Sequence, residues 1–129
     1  MRQTVSSGAE WEAVVGYSRA VRTGPFVAVS GTTGTGPDIA AQALDALRRI
    51  EVALQQCGAQ RADVVRTRMY VTDISRWPEV APVHAEFFAG VAPAATMVEV
   101  SALIAPELLI EIEADAYVDD GPAGLNNPS

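Results

Sequence analysis

PAATMVEVSALIAPELLIEIEADAYV, residues 93 to 118, holds two strand-like runs separated by a short Pro-containing break. In the second run, Leu109 to Val118, side chains alternate: Ile110, Ile112, Ala114, Ala116 and Val118 share one face, and Glu111, Glu113 and Asp115 share the other. The acids of such a half-buried strand either meet solvent or line a site. Solvent is the expectation for Glu113 and Asp115. Glu111 sits nearer the start, facing whatever neighbours the Thr96 to Ser101 strand.

Upstream, VVRTRMYVT (residues 64 to 72) alternates as a third strand, with a helix expected over Glu79 to Phe88 after Trp77 and Pro78. From Ile39 to Cys57 the apolar residues Ala43, Leu47, Ile50 and Leu54 recur at helical spacing, with Gln42, Asp45 and Arg48 elsewhere around the helix. Asp38 is its expected N-cap and Gly58 its stop. Residues 14 to 30 read as two strands joined at Thr23-Gly24-Pro25, the first placing Tyr17 and Arg19 on one face. The order is β-β-α-β-α-β-β: an α+β domain with one sheet and two helices on one of its faces. The other face then needs a partner.

The 129 residues fit one domain, taken as residues 1 to 120, with GPAGLNNPS (121 to 129) as a disordered tail. Hydrophobic residues make up 49% of the chain and charged residues 19%, a folding composition. A formal charge of -7 with scattered basic residues argues against nucleic-acid binding. No apolar run approaches the roughly 18 residues of a membrane span, and one cysteine, Cys57, cannot form an internal disulfide. A cytoplasmic protein without membrane contact is expected.

The glycine loop GTTGTG (31 to 36) departs from dinucleotide and P-loop spacings and offers Pro37-Asp38 where a P-loop needs Lys and Ser or Thr. Cys57 continues an apolar helix stripe and reads as core. His84, the single histidine, stacks with Val80 and Phe88 on the second helix and reads as interfacial, with general acid or base as the sharper alternative. One His without Cys partners at ligand spacing makes no metal site.

VAVSGTTG (27 to 34), QQCGAQRADVVRTRMYVTDI (55 to 74), HAEFF (84 to 88) and the opening stretch together resemble the Rid family, the YjgF-like reactive intermediate deaminases, also called L-PSP endoribonucleases. The resemblance implies a chorismate-mutase-like subunit in a barrel-centred homotrimer, with sites in clefts between subunits. It implies hydrolysis of small imines or enamines to carbonyl compounds and ammonia without metal or organic cofactor. It also assigns residues. Glu111 is the acid-base group and water orienter, Tyr17 a hydrogen-bonding wall, and Ser30, Gly31 and Thr32 the loop offering backbone and hydroxyl contacts. His84 is a possible second proton carrier.

Where the family carries an arginine for the substrate carboxylate this chain has Ala95, and the usual cysteine is Met97. Alanine offers no bidentate clamp. Two alternatives follow: Arg19 or Arg68 supplies the cation from another strand, or Glu111 lacks its counter-charge and suits a neutral or cationic ligand. A non-catalytic trimer binding a small metabolite or a protein is the competing function.

Overall fold

The computed structural model describes residues 1–119, so the expected tail at 121 to 129 lies outside the described residues. Six strands and three helices alternate as β1 (Arg2–Val5), α1 (Glu10–Val15), β2 (Ala20–Thr23), β3 (Phe26–Thr33), α2 (Ile39–Gln56), β4 (Val64–Val71), α3 (Trp77–Phe87), β5 (Ala94–Glu99) and β6 (Ile110–Tyr117). The strands form one sheet in the order β1-β2-β3-β6-β4-β5. All neighbours are antiparallel except β4 and β5, whose parallel pairing is bridged by α3.

The alternation in β6 takes effect through burial. Ile110, Ile112, Ala114 and Ala116 are fully buried against the Ala43, Leu47, Ile50 and Leu54 stripe of α2, together with Val27 and Val29 of β3 and Met69 and Val71 of β4. Val80 and Phe87 of α3 complete this core. Asp38 caps α2 by accepting from the Ala41 N–H at 2.8 Å, and Gly58 ends it at φ 75°. The opposite sheet face carries no helix among the elements packed on the core.

Two expectations change at the N-terminus. Residues 14 to 16 belong not to a strand but to α1 and its left-handed end at Gly16, φ 89°. Val14 and Val15 are exposed there, so their β-branching does not decide their conformation. The strand β1, four residues long, pairs with β2 and was not expected. Tyr17 and Arg19 accordingly sit in the connection between α1 and β2 rather than in a strand.

Gln42 also departs from its expected outward position. It is 4% exposed: its Nε2 donates to the carbonyls of Gly36 (3.2 Å) and Glu107 (3.1 Å), and its Oε1 accepts from the Leu109 N–H at 2.9 Å. One amide thereby ties α2 to the glycine loop and to the segment entering β6. The glycine loop owes its composition to this packing: a Cβ on Gly34 would stand 2.2 Å from the Gln42 carbonyl oxygen and 2.7 Å from the Ala46 nitrogen.

Candidate functional site

The register between β3 and β6 shifts between Val29 and Thr32, where the β3 strand gains a residue. Such a bulge bends its strand and re-aims side chains. Here it lays the Gly31 backbone on the Glu111 carboxylate, so closely that a Cβ on residue 31 would stand 2.0 Å from Glu111 Oε2. Only glycine permits that approach. The sequence pattern ends the strand at Ser30 and gives Gly31 to the glycine loop; the structure instead keeps residues 31 to 33 in β3, through and past the bulge.

The bulge is held by side chains rather than by ladder bonds alone. Ser30 Oγ donates to the Ser18 carbonyl at 2.6 Å, and Thr32 Oγ1 to the Ser30 carbonyl at 2.8 Å. Arg19 Nη1 donates to the Gly31 carbonyl (2.9 Å) and to Thr32 Oγ1 (3.0 Å), and its Nη2 reaches the Tyr17 hydroxyl at 3.4 Å. The guanidinium also lies 5.6 Å from the Tyr17 ring centre. Its Nε faces Glu12 at 3.8 Å.

Glu12, which sequence reasoning did not single out, is 6% exposed and receives the Ser6 hydroxyl at 2.8 Å as well as the Ser7 hydroxyl and N–H. The Ser7 hydroxyl, against the cost of burial, holds its carboxyl below the usual range, with Arg19 a smaller contributor. A Trp-Glu pair just ahead of a glycine-ended turn was the only signal, and it has no distinctive spacing.

These groups border a cleft of about 1070 Å³. Tyr17, Arg19, Ser30, Gly31, Thr32 and Glu111, six of the residues expected at the site, all line it. Its rim is apolar, with Trp11, Val15, Val52 and Ile104 among its residues. The Glu111 carboxylate accepts no hydrogen bond among the described residues. Burial, then the nearby Glu113 charge, push its pKa up, and Arg19 offsets this in part. A half-buried carboxylate with a raised pKa and no fixed donor is equipped to take and return a proton.

The other acids of the row are not simply solvated. Glu113 accepts from the Tyr70 hydroxyl at 2.8 Å and stands 3.6 Å from Arg68, whose Nη1 donates to Asp115 at 3.1 Å. The Glu113 hydrogen bond raises the Tyr70 pKa, with burial adding to it. Arg68 is therefore engaged by two carboxylates on the open sheet face.

His84, Ala95 and Met97 stand apart from Glu111 within one subunit. His84 Nε2 meets Thr67 Oγ1 at 2.9 Å, and Thr67 is fully buried on the helix side of β4. Ala95 and Met97 pair in register with Thr67 and Met69 and so share that side. None of the three lines the cleft that holds Glu111. Burial lowers the His84 pKa, and its ring packs 4.9 Å from that of Phe88. Cys57 is 1% exposed and burial raises its thiol pKa, which fits a core role. Among the described residues no group of three or more His, Cys, Asp or Glu is placed to hold a metal, and no helix is long and apolar enough to cross a membrane.

A family model described as Endoribonuclease L-PSP matches residues 7–118. The chain belongs to this Rid/YjgF family. Its fold is that of Rv2704 from Mycobacterium tuberculosis, described as a member of the YjgF/YER057c/UK114 family: TM-score 0.90 and 69% identity over 92% of this chain and 100% of that one. A RutC family protein of Pyrococcus abyssi is 34% identical over 78% of this chain and 85% of its own. A protein of Rattus norvegicus named 2-iminobutanoate/2-iminopropanoate deaminase is 30% identical over 97% of both chains. Rid/YjgF membership supports a deaminase or an endoribonuclease-like role.

Proposed function

We propose that this chain is a cofactor-independent hydrolase of Rid type, acting on a small imine, enamine or related carbonyl compound in a cleft completed by a neighbouring subunit of a homotrimer. The observation that carries the reading is Glu111: a half-buried carboxylate without a fixed donor, laid on the Gly31 backbone and facing the cleft. Glu111 takes a proton from water as the water oxygen adds to the C=N carbon of the protonated imine, giving a neutral carbinolamine. It delivers that proton to the nitrogen. As the C–N bond breaks to release ammonia and the C=O bond forms, the hydroxyl proton passes back to Glu111, which gives it to the next imine or to solvent. The net change is imine plus water to carbonyl compound plus ammonia. Tyr17 walls the cleft, and Arg19 braces the bulge that presents Gly31.

The family's arginine position, Ala95 by resemblance, favours a second reading, a trimer that binds a small metabolite without turning it over. An RNA substrate is disfavoured by the charge of -7. Ammonia release from freshly generated imines, compared between the unaltered chain and Glu111→Gln, tests the reading: equal rates at matched concentration would leave binding alone.

A further inference from the structure

The family's arginine grips a carboxylate, and a group that replaced it would have to present a cation to the cleft. Two arginines line the cleft, Arg19 and Arg49. Arg19 has both Nη1 donors on Gly31 and Thr32, one Nη2 donor on Tyr17, and its Nε turned to the anionic Glu12. Arg49 donates to the Thr33 carbonyl (3.1 Å) and Thr35 Oγ1 (2.9 Å) and pairs with Asp45 at 2.9 Å. Arg68 is held by Glu113 and Asp115, and neither it nor Arg66 lines the cleft. None presents a free two-pronged edge to the cleft, and residue 95 is alanine.

The same wall presents an acceptor without a donor. The Glu111 carboxylate receives no hydrogen bond among the described residues, and its neighbour Glu113 adds negative charge. A ligand carboxylate placed here would meet repulsion and no clamp. A ligand N–H, above all a protonated imine, would supply the missing donor and add to the partial counter-charge that Arg19 provides. Trp11, Val15 and Val52 at the rim offer apolar surface for the rest of the ligand.

We infer that the cleft selects neutral or cationic imines that carry no carboxylate, binding their nitrogen to Glu111. This rests on the reading of the cleft as an imine site and narrows its substrate class. Arg19 becomes a positioning residue of the bulge and not a carboxylate clamp.

Calorimetry at neutral pH with two persistent probes tests it: 1-pyrroline, a cyclic imine without a carboxylate, and 1-pyrroline-2-carboxylate. The unaltered protein should bind 1-pyrroline about ten- to a hundredfold more tightly, as one charge-assisted hydrogen bond gained and one repulsion avoided would give. Glu111→Gln should remove most of that advantage, and Ala95→Arg, brought to the cleft by the neighbouring subunit of the proposed trimer, should shift it toward the carboxylate. Equal or tighter binding of 1-pyrroline-2-carboxylate, no binding of either probe at millimolar concentration, or 1-pyrroline affinity indifferent to Glu111→Gln would each overturn the inference. Because these probes report binding alone, a preserved preference with no imine turned over would sink the proposed reaction and leave the ligand class standing. Turnover confined to carboxylate-bearing imines would do the reverse.

Discussion

At the scale of single residues, Glu111 shows how a functional group departs from its neighbours of identical chemistry. Alternation in β6 makes Glu111, Glu113 and Asp115 equivalent, and that much was legible in the sequence. What separates them is the diagonal reach of two β4 side chains. Tyr70 stands opposite Glu111 and Arg68 opposite Glu113, yet their polar ends lie one pair further along, on Glu113 and Asp115, and leave Glu111 to the bulge. No local pattern encodes a pairing between residues more than 40 positions apart. For a catalytic cleft, Glu111→Gln should lower turnover by about 10² to 10⁴. Its effect on stability has a definite sign. The folded pKa of Glu111 lies above its unfolded value, so between the two the folded state holds the extra proton, and stability falls as pH rises through that window. Above that window the ionised side chain is a net cost, and the glutamine variant should melt at the same or a slightly higher temperature in a calorimetric scan. Gly31→Ala makes the complementary test. The obstructing atoms belong to the Glu111 side chain, which can swing away, so turnover should drop with a melting temperature close to that of the parent.

At the scale of elements, the long periodic segments other than β3 were read within one or two residues, because a helix of 18 residues and strands of 6 to 8 present several turns of their period. The bulge in β3 breaks its alternation and hides the last three residues, 31 to 33. The short ones were not. With α1 at 6 residues and β1 at 4, neither completes enough of a period to be distinguished from the flanking loop, and both are fixed by tertiary contacts. Gln42 was misplaced for the same reason: an amide on a helix looks solvent-facing until the three backbone groups it satisfies are brought to it by folding. Replacing it with leucine keeps the volume roughly but leaves those groups without partners, which should cost about 2 to 4 kcal/mol in denaturant unfolding. It should also loosen the segment that delivers Glu111. His84 couples α3 to β4 through Thr67, and burial holds its folded pKa below the unfolded 6.5. As pH falls through 6.5 the unfolded state binds the proton first, so the fold loses stability there. A His84→Gln variant should show a flatter dependence of stability on pH from about 7 down to 5.

At the scale of the whole molecule, the two faces of the sheet pose different problems. One is closed by α2 and α3 within the chain, and a charge placed on it attacks the subunit itself. Ile112→Lys buries an unpaired ammonium in a site with no exposure, which costs on the order of 3 to 5 kcal/mol and should leave the chain largely unfolded. The other face carries the Tyr70, Arg68, Glu113 and Asp115 network and ends at β5, an edge strand that exposes Val98 and the unpaired side of its backbone. Free apolar edges of this kind are usually covered, and the proposed homotrimer provides the cover. The sequence pointed to an uncovered face through the count of helices, but only the register shows that it is the acid-bearing face of β6 that stays open. Val98 pairs with Tyr70 and therefore projects on that face. Val98→Arg should spare the core and weaken only the association of subunits. Sedimentation or light scattering at micromolar concentration should then report a trimer for the parent and smaller species for the variant, with the far-UV circular dichroism of the two alike. A parent that sediments as a monomer would remove the trimer, and a variant that loses its secondary structure would show that β5 belongs to the subunit core instead.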